Sequence, residues 1–237
     1  MTTALLESTE NASADVLIDQ ILKEAVGAAC ITCSFQAEDM VVLHLLRRHV
    51  PNIPVLFLET GYHFAETYSY RDRMTAAWNL NLINLSASIS VAEQESKFGI
   101  LNRTNPTQCC QLRKVEPLMA GLDKYDVWFT GLRREQSPSR KNLKKVEQHK
   151  LPSGRSLLKI SALADWTWAQ VSAYIAENDI ELLPLYHLGY TSIGCEPCTT
   201  IPEDGNNARS GRWGGKKLEC GIHTFSQQAD LAEPESN

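Results

Sequence analysis

The feature that most constrains this chain is a regular alternation of short apolar runs with longer amphipathic segments. Residues 53–58 are almost continuously apolar, which is typical of a strand buried on both faces of a sheet. The segments on either side of it, 39–48 and 64–78, have helical spacing of their apolar residues. This alternation predicts an α/β fold with a mostly parallel sheet and helices on both faces.

The alternation continues along most of the sequence. Further strands are predicted over 30–35, 80–85 and 127–130, and further helices over 14–26, 91–98, 110–122 and 166–177. The segments 143–149 and 156–160 flank a Pro-Ser-Gly turn, which predicts a hairpin. Turn residues dominate after residue 184. We therefore expect a flexible N-terminus (1–13), an α/β domain (14–183), and a loop-rich appendage that ends in a mobile tail (184–237).

Charge and composition narrow the functional classes. The 237 residues include 23 Lys and Arg against 28 Asp and Glu, so the net charge is -5. An acidic balance disfavours a general nucleic-acid binder, although a local basic patch can still meet an anionic substrate. No apolar run is long enough to cross a bilayer and no basic leader is visible, which favours the cytoplasm. Seven cysteines in a reducing compartment indicate metal binding or catalysis.

Two cysteine pairs are the strongest local signals. Cys109 and Cys110 are adjacent, and Cys195 and Cys198 form a C-x-x-C. Four thiolates can bind zinc or an iron–sulfur cluster. Neighbouring side chains on a helix diverge by about 100°, which suits two corners of a 4Fe-4S cluster better than one tetrahedral ion. Zinc, or a buried pair beside an unrelated C-x-x-C, remains an alternative.

The other cysteines differ in their surroundings. Cys30 and Cys33 lie three apart in a predicted strand, so their side chains should face opposite sides and bind no common ligand. Cys220 follows a run that contains Arg209 and Arg212, and nearby cations favour the thiolate. Cys220 is therefore a candidate nucleophile, with an inert tail cysteine as the alternative.

Two predicted turns have the character of anion sites. Residues 34–39 join a strand to a helix, where anionic ligands bind against the helix N-terminus in open α/β sheets. Residues 131–140 follow a buried strand and contain three arginines, whose planar side chains suit phosphate or sulfate. A solvated run of charges is the alternative for the second segment.

Seven segments occur in an order that resembles a known family. They are S-F-Q-A-E-D, L-E-T-G-Y-H-F-A-E-T-Y, C-C-x-x-R-K-V-E-P-L, T-G-L-R-R-E-Q-S, G-Y-x-S-I-G-C-E-P-C-T, R-S-G-R-W and E-C-G-I-H. Together they resemble the sulfonucleotide reductases, the phosphoadenylylsulfate and adenylylsulfate reductases of sulfate assimilation, over about residues 28–225. Members with both cysteine pairs generally use adenosine 5′-phosphosulfate, and members without them use the 3′-phosphorylated substrate.

The resemblance implies a fold, a reaction and a cofactor. The fold is that of the adenine-nucleotide alpha-hydrolases, with a PP-loop-like turn in a nucleotide-binding domain. The implied cofactor is one 4Fe-4S cluster on Cys109, Cys110, Cys195 and Cys198. The implied reaction, a step of cysteine biosynthesis, converts adenosine 5′-phosphosulfate to sulfite and AMP. It passes through an S-sulfocysteine on Cys220, and thioredoxin or glutaredoxin is the reductant.

The resemblance also implies a substrate site and leaves alternatives. The residues expected to bind substrate are Ser34, Phe35, Leu58, Thr60, Lys114, Gly131, Arg133, Arg140, Arg209 and Arg212. A phosphoadenylylsulfate reductase or a dual-substrate enzyme is the nearest alternative. A tRNA-thiolating enzyme is disfavoured because Phe35 and Gln36 replace the glycines of an ATP-binding loop. A metal-stabilised RNA-binding module is the non-enzymatic alternative, and the sequence leaves a homo-oligomer open.

Overall fold

The computed structural model describes residues 9–203, 208–215, 219 and 221–222. Six strands within these residues form one mixed sheet: β1 (Ala29–Thr32), β2 (Pro54–Glu59), β3 (Asn81–Ser86), β4 (Val127–Phe129), β5 (Val146–Lys150) and β6 (Ser156–Ile160). Their order across the sheet is β3-β2-β1-β4-β6-β5. Among these described strands only β5 runs antiparallel to its neighbour, through the predicted hairpin with β6. The mostly parallel sheet is confirmed.

Helices follow most strands where the spacing predicted them. They are α1 (Ala14–Glu24), α2 (Ala37–His49), α3 (Ala65–Trp78), α4 (Val91–Phe98), α5 (Leu101–Thr104), α6 (Pro106–Cys110), α7 (Glu116–Leu122) and α8 (Trp168–Glu177). The helix predicted over 110–122 is confirmed, although its segment Gln111–Val115 is π-helical and separates α6 from α7. Short 3-10 turns lie at Arg134–Gln136, Pro138–Arg140, Pro184–Leu188, Glu196–Cys198 and Trp213–Gly215.

Local capping explains where two of the helices begin. The Ser90 hydroxyl accepts from the Glu93 backbone N–H at 3.1 Å, and the Glu93 carboxylate accepts from the Ser90 N–H at 2.8 Å. Thr167 and Gln170 make the same reciprocal pair at the start of α8. Each capping box satisfies donors that a helix start otherwise leaves unpaired, and such a cap contributes about 1 kcal/mol.

Apolar residues cover both faces of the sheet. Ile31, Val55 and Phe57 belong to a core that also contains buried side chains of α1, α2, α3 and α8. Cys30, Leu56 and Trp128 point to the other face and pack with α7 and Tyr125. A fully buried side chain of this size contributes about 1.5–3 kcal/mol, so both layers stabilise the sheet. Helices on both faces are thus confirmed, and Cys30 and Cys33 lie in different cores.

Residues that flank the predicted α/β domain on both sides contact the fold. Glu10 forms an ion pair with Arg134, and Lys145 Nζ donates to the Ala12 carbonyl at 2.6 Å. Residues 9–13 therefore pack onto the fold, whereas residues 1–8 lie outside the described part. Leu185 and Ile193 belong to the same core as the sheet. In the parts of the chain that the structure describes, no helix is long and apolar enough to cross a bilayer.

Candidate functional site

The sheet places a crevice beside its central strand. From β1 the chain first builds outward through β2 and β3, then returns to the other side of β1 with β4. In open α/β sheets ligands bind at such a reversal, outside the carboxyl ends of the strands. A cavity of about 1010 Å³ opens there, and Ser34, Leu58 and Gly131 line it from the ends of β1, β2 and β4. The topology thus accounts for the position of the site.

Eight of the ten side chains expected to bind substrate line this cavity. They are Ser34, Leu58, Lys114, Gly131, Arg133, Arg140, Arg209 and Arg212. Five of the eight are cationic, which suits an anionic ligand, and the carboxylates of Glu38, Asp39, Glu135 and Glu219 line the cavity beside them. We call it the basic cavity. Residues from α8 and from the 186–194 loop complete its wall, among them Trp168 and Tyr186.

Phe35 and Thr60 are not among the residues that line this cavity. The Phe35 side chain is fully buried, with its ring centroid 5.8 Å from that of Phe57 and 6.3 Å from that of Tyr70. Its backbone has φ 60°, a left-handed conformation that is unusual for an aromatic residue and that turns the ring into the core. Thr60 is also fully buried, and it lies beside the cysteines instead.

The side chains of Asp39 and Gln36 hold the turn after β1 through hydrogen bonds to Ser34. Asp39 accepts from the Ser34 backbone N–H at 2.7 Å and from its hydroxyl at 2.6 Å. Burial raises the pKa of Asp39 to about 6, although the hydrogen bonds from Ser34 favour its ionised form. Gln36 donates to the Ser34 hydroxyl and accepts from the Ile193 N–H at 2.8 Å. The turn is therefore tied to the opposite wall of the cavity.

Arg133 is engaged in a buried ion pair. Its Nη2 lies 2.8 Å from a Glu38 carboxylate oxygen, and Nε donates to the same oxygen at 3.0 Å. The two side chains are only 5% and 10% exposed. Glu135 accepts from its third nitrogen at 2.6 Å. The guanidinium thus joins α2 to the loop after β4, and Arg133 also lines the basic cavity.

The four paired cysteines line a second, smaller cavity. Cys109 and Cys110 come from α6, and Cys195 and Cys198 come from the loop that faces it. The Thr60 hydroxyl lies 3.3 Å from Cys195 Sγ. Burial and the neighbouring thiols raise the pKa of Cys198 to about 11, and Lys114 acts in the opposite direction. We call this the cysteine cavity.

The arrangement of the thiols bears on what they can bind. Among the described residues, no group of three His, Cys, Asp or Glu side chains is arranged to hold a metal ion. A single zinc ion needs its ligands to converge at about 2.3 Å from one point. In an iron–sulfur cluster the cysteines bind different iron atoms, so the thiols stand further apart. Four thiols from two segments thus line one cavity.

Lys114 lies between the two cavities and lines both of them. It belongs to the π-helical segment, as does Arg113, which donates to the Thr60 carbonyl and to Gln94 at 3.1 Å. A π-turn adds one residue to a helix, and such turns are frequent at functional sites. The hydrophobic spacing does not show this inserted residue. The sequence therefore did not indicate a role for Arg113 or for its partner Gln94.

Three further arginines line the basic cavity, and two of them contact the Glu219 carboxylate. Arg140 donates to the Glu219 carboxylate, and Arg209 Nη2 lies 3.5 Å from it. Arg212 is buried, with its guanidinium 4.5 Å from the Trp213 ring centroid and 3.4 Å from the Ser192 hydroxyl. Cys220 lies outside the described residues. Its described neighbours Glu219 and Ile222 both line the basic cavity.

The fold and the site define a class: a PP-loop-like nucleotide-binding protein with a basic cavity at the switch point of its sheet. Residues 28–201 match the model of the phosphoadenosine phosphosulfate reductase domain. The chain therefore belongs to the phosphoadenosine phosphosulfate reductase family.

Relatives with assigned names support this membership. An adenosine 5′-phosphosulfate reductase of Streptomyces coelicolor is 44% identical over 196 residues, which is 82% of this chain and 81% of the relative. A protein of the same name from Mycobacterium tuberculosis is 42% identical over 198 residues, covering 81% of this chain and 77% of the relative.

Solved structures agree with the fold. The phosphoadenylyl-sulfate reductase of Candida auris superposes with a TM-score of 0.70 at 25% identity, covering 84% of this chain and 98% of that one. An FMN adenylyltransferase of Candida glabrata superposes at 0.59 with 13% identity, covering 97% of this chain and 84% of that one. The second likeness concerns the fold alone, and it agrees with the expected adenine-nucleotide alpha-hydrolase architecture.

Proposed function

We propose that this protein reduces adenosine 5′-phosphosulfate to sulfite and AMP in sulfate assimilation, with thioredoxin as the reductant. The observation that carries the proposal is the position of Lys114, which lines both the basic cavity and the cysteine cavity. The relatives named adenosine 5′-phosphosulfate reductase support the choice of substrate. Because the reaction needs reduced thiols, we propose the cytoplasm as its compartment.

The reaction starts with the Cys220 thiolate, which attacks the sulfur atom of the substrate. An S–S bond forms, the S–O bond to the phosphate breaks, and AMP leaves with the electron pair. The cations of the basic cavity, Lys114, Arg140, Arg209 and Arg212, stabilise the charge that develops on the leaving phosphate. A soft thiolate suits this attack on sulfur better than a hydroxyl does.

The second half of the reaction releases sulfite. One thiolate of thioredoxin attacks Sγ of the S-sulfocysteine, and sulfite leaves with the bonding electrons. The second thioredoxin thiol then attacks the mixed disulfide, which returns Cys220 as a thiolate and leaves thioredoxin oxidised. Thioredoxin supplies both electrons, and apart from the nucleophile Cys220 this chain's own residues bind, orient and stabilise charge.

Cys109, Cys110, Cys195 and Cys198 would hold one 4Fe-4S cluster in this proposal. The support is the donor set itself, four thiols from two segments around one cavity. The group would supply a rigid link between these segments and an electrostatic field beside Lys114. Protein prepared without oxygen should contain about four irons and four sulfides per chain. Stoichiometric zinc without sulfide would contradict the assignment.

A matched pair of variants tests which cysteines matter. Cys109→Ser should lose the iron, whereas Cys30→Ser, at a buried cysteine on the central strand, should keep it. Loss of iron in both variants with native circular dichroism would argue against the ligand set. Retention of iron in Cys109→Ser would do the same.

A single-turnover experiment tests the nucleophile. Wild-type protein given substrate without thioredoxin should release one AMP per site and carry a sulfonate on the peptide that contains Cys220. Thioredoxin should remove it. Cys220→Ser should retain iron and bind substrate yet lose turnover by orders of magnitude, because serine is a much weaker nucleophile at neutral pH. A sulfonate on Cys30 or Cys33 would overturn the mechanism.

The 3′-phosphorylated substrate is the alternative, because the Candida auris structure is a phosphoadenylyl-sulfate reductase at 25% identity. We propose a preference for adenosine 5′-phosphosulfate, since the relatives with that name share 42–44% identity. Measuring kcat/KM for both substrates with the same thioredoxin decides between them. An equal or reversed ratio would contradict the preference.

A further inference from the structure

Glu219 is the residue before Cys220 in the sequence, and its carboxylate is surrounded by four side chains that can bind an anion. Arg140 grips its carboxylate with two hydrogen bonds, Nε to Oε1 at 2.9 Å and Nη2 to Oε2 at 2.7 Å. The hydroxyls of Ser137 and Ser139 donate to Oε1 at 3.2 and 3.1 Å, and Arg209 Nη2 lies 3.5 Å from Oε2. We call these four donor residues the oxyanion cradle.

The cradle is shielded from water. The side chains of Arg140, Arg209 and Glu219 are 11%, 14% and 12% exposed. Charge-assisted hydrogen bonds are stronger than neutral ones and gain further from partial burial. Burial opposes ionisation of Glu219, but the hydrogen bonds and charge of Arg140 outweigh it and hold the pKa below its ordinary value. The carboxylate is therefore charged at neutral pH.

The chemistry of the cradle matches more than a carboxylate. Two hydroxyl donors beside a guanidinium fork are the donors that a tetrahedral oxyanion accepts from. Three of the four cradle residues, Ser137, Arg140 and Arg209, line the basic cavity, as Glu219 does. The substrate under the proposed function carries a phosphate and a sulfate. Its oxyanions and the Glu219 carboxylate would then compete for one set of donors.

We propose that Glu219 is an internal ligand of the oxyanion cradle, and that the phosphate or sulfate of the substrate displaces it on binding. This inference rests on the proposed function for the identity of the substrate. The exchange couples two events, because Glu219 is covalently joined to Cys220. Binding of the substrate anion therefore releases Glu219, which precedes the nucleophile in the sequence.

Glu219→Gln tests the competition. The amide keeps the size of the side chain but loses the charge, and a charged hydrogen bond exceeds a neutral one by enough to change affinity about tenfold. In a Cys220→Ser background, which prevents turnover, Glu219→Gln should tighten binding of adenosine 5′-phosphosulfate about tenfold in calorimetry. Glu181→Gln is the matched control, because Glu181 pairs with exposed Arg73. It should leave the affinity unchanged.

Alkylation of Cys220 provides a second readout that needs no turnover. Inorganic sulfate and AMP are the probes, and mass spectrometry follows modification of the Cys220 peptide by iodoacetamide. In the wild type, whichever probe carries the displacing group should raise the alkylation rate in a saturable manner. In Glu219→Gln the rate should already be high without either probe. The two probes thereby distinguish a sulfate subsite from a phosphate subsite.

The outcomes separate this inference from the proposed function. Unchanged or weaker substrate affinity in Glu219→Gln would overturn the exchange and would assign Glu219 only an anchoring role. An alkylation rate that neither sulfate nor AMP changes would overturn the exchange as well. If the wild type neither binds nor turns over adenosine 5′-phosphosulfate, the proposed function fails. The alkylation experiment would still show whether sulfate or AMP displaces the Glu219 carboxylate.

Discussion

The buried ion pair between Arg133 and Glu38 allows a sharp test of what Arg133 does. Replacing Arg133 by Met removes the charge while keeping most of the volume, and it leaves the Glu38 carboxylate buried without its main partner. Breaking a buried pair from one side costs about 3–5 kcal/mol. With a urea m-value of about 3 kcal/mol per M for a chain of this length, the unfolding midpoint should fall by about 1–1.7 M.

The double variant distinguishes pairing from simple packing. Glu38→Met together with Arg133→Met leaves no unpaired charge, so it should recover most of the lost free energy of unfolding. The assay is urea unfolding followed by circular dichroism, with AMP affinity measured in parallel. The structural role would be refuted if Arg133→Met costs less than about 1 kcal/mol and yet weakens AMP binding more than tenfold. Arg133 would then be a substrate ligand, as the sequence alone suggested.

Three further outcomes follow from the structure. Burial lowers the pKa of His149 from 6.5 to about 4, so the unfolded chain takes up this proton at a higher pH than the folded protein does. The contribution of the neutral imidazole to the free energy of unfolding is therefore present above pH 6.5 and is lost as the pH falls toward 4. His149→Phe should therefore flatten the pH dependence of unfolding by about 1.4 kcal/mol per unit in that range, and an unchanged slope would contradict this. A Cβ at Gly131 would lie 2.8 Å from the Asp39 backbone nitrogen, so Gly131→Ala should lower both stability and AMP affinity, measured by unfolding and calorimetry. Ser90→Ala removes a helix cap and should lower the free energy of unfolding by about 1 kcal/mol without changing kcat.

Elements whose signal is local could be predicted from the sequence. The run that became β2 is apolar on both faces, and the spacing in α2 and α3 is regular, so their type and order followed from periodicity. The π-helical segment could not be predicted, because one inserted residue leaves the hydrophobic pattern of a helix nearly unchanged.

The candidate site was predictable where residue type alone decides the chemistry. Arginines, a lysine and paired cysteines were identified because few other roles suit them in such clusters. What a side chain pairs with depends on residues distant in the chain, and local patterns do not show it. Glu38, 95 positions from Arg133, accepts from its guanidinium. The burial of the Phe35 ring depends likewise on its positive φ, which turns the ring into the core.

The π-helical segment Gln111–Val115 joins two parts of one helix that face different surroundings. Before it stand Cys109 and Cys110, which face the cysteine cavity, and after it α7 buries Leu118 and Leu122 against the sheet. Winding the same residues as a regular α-helix would rotate α7 by roughly 100° relative to the cysteines, because the wide π turn takes up about one more residue than an α-helical turn does. Either the thiols or the leucines would then face the wrong way. The wide turn therefore lets one helix serve a ligand cavity at one end and the apolar core at the other.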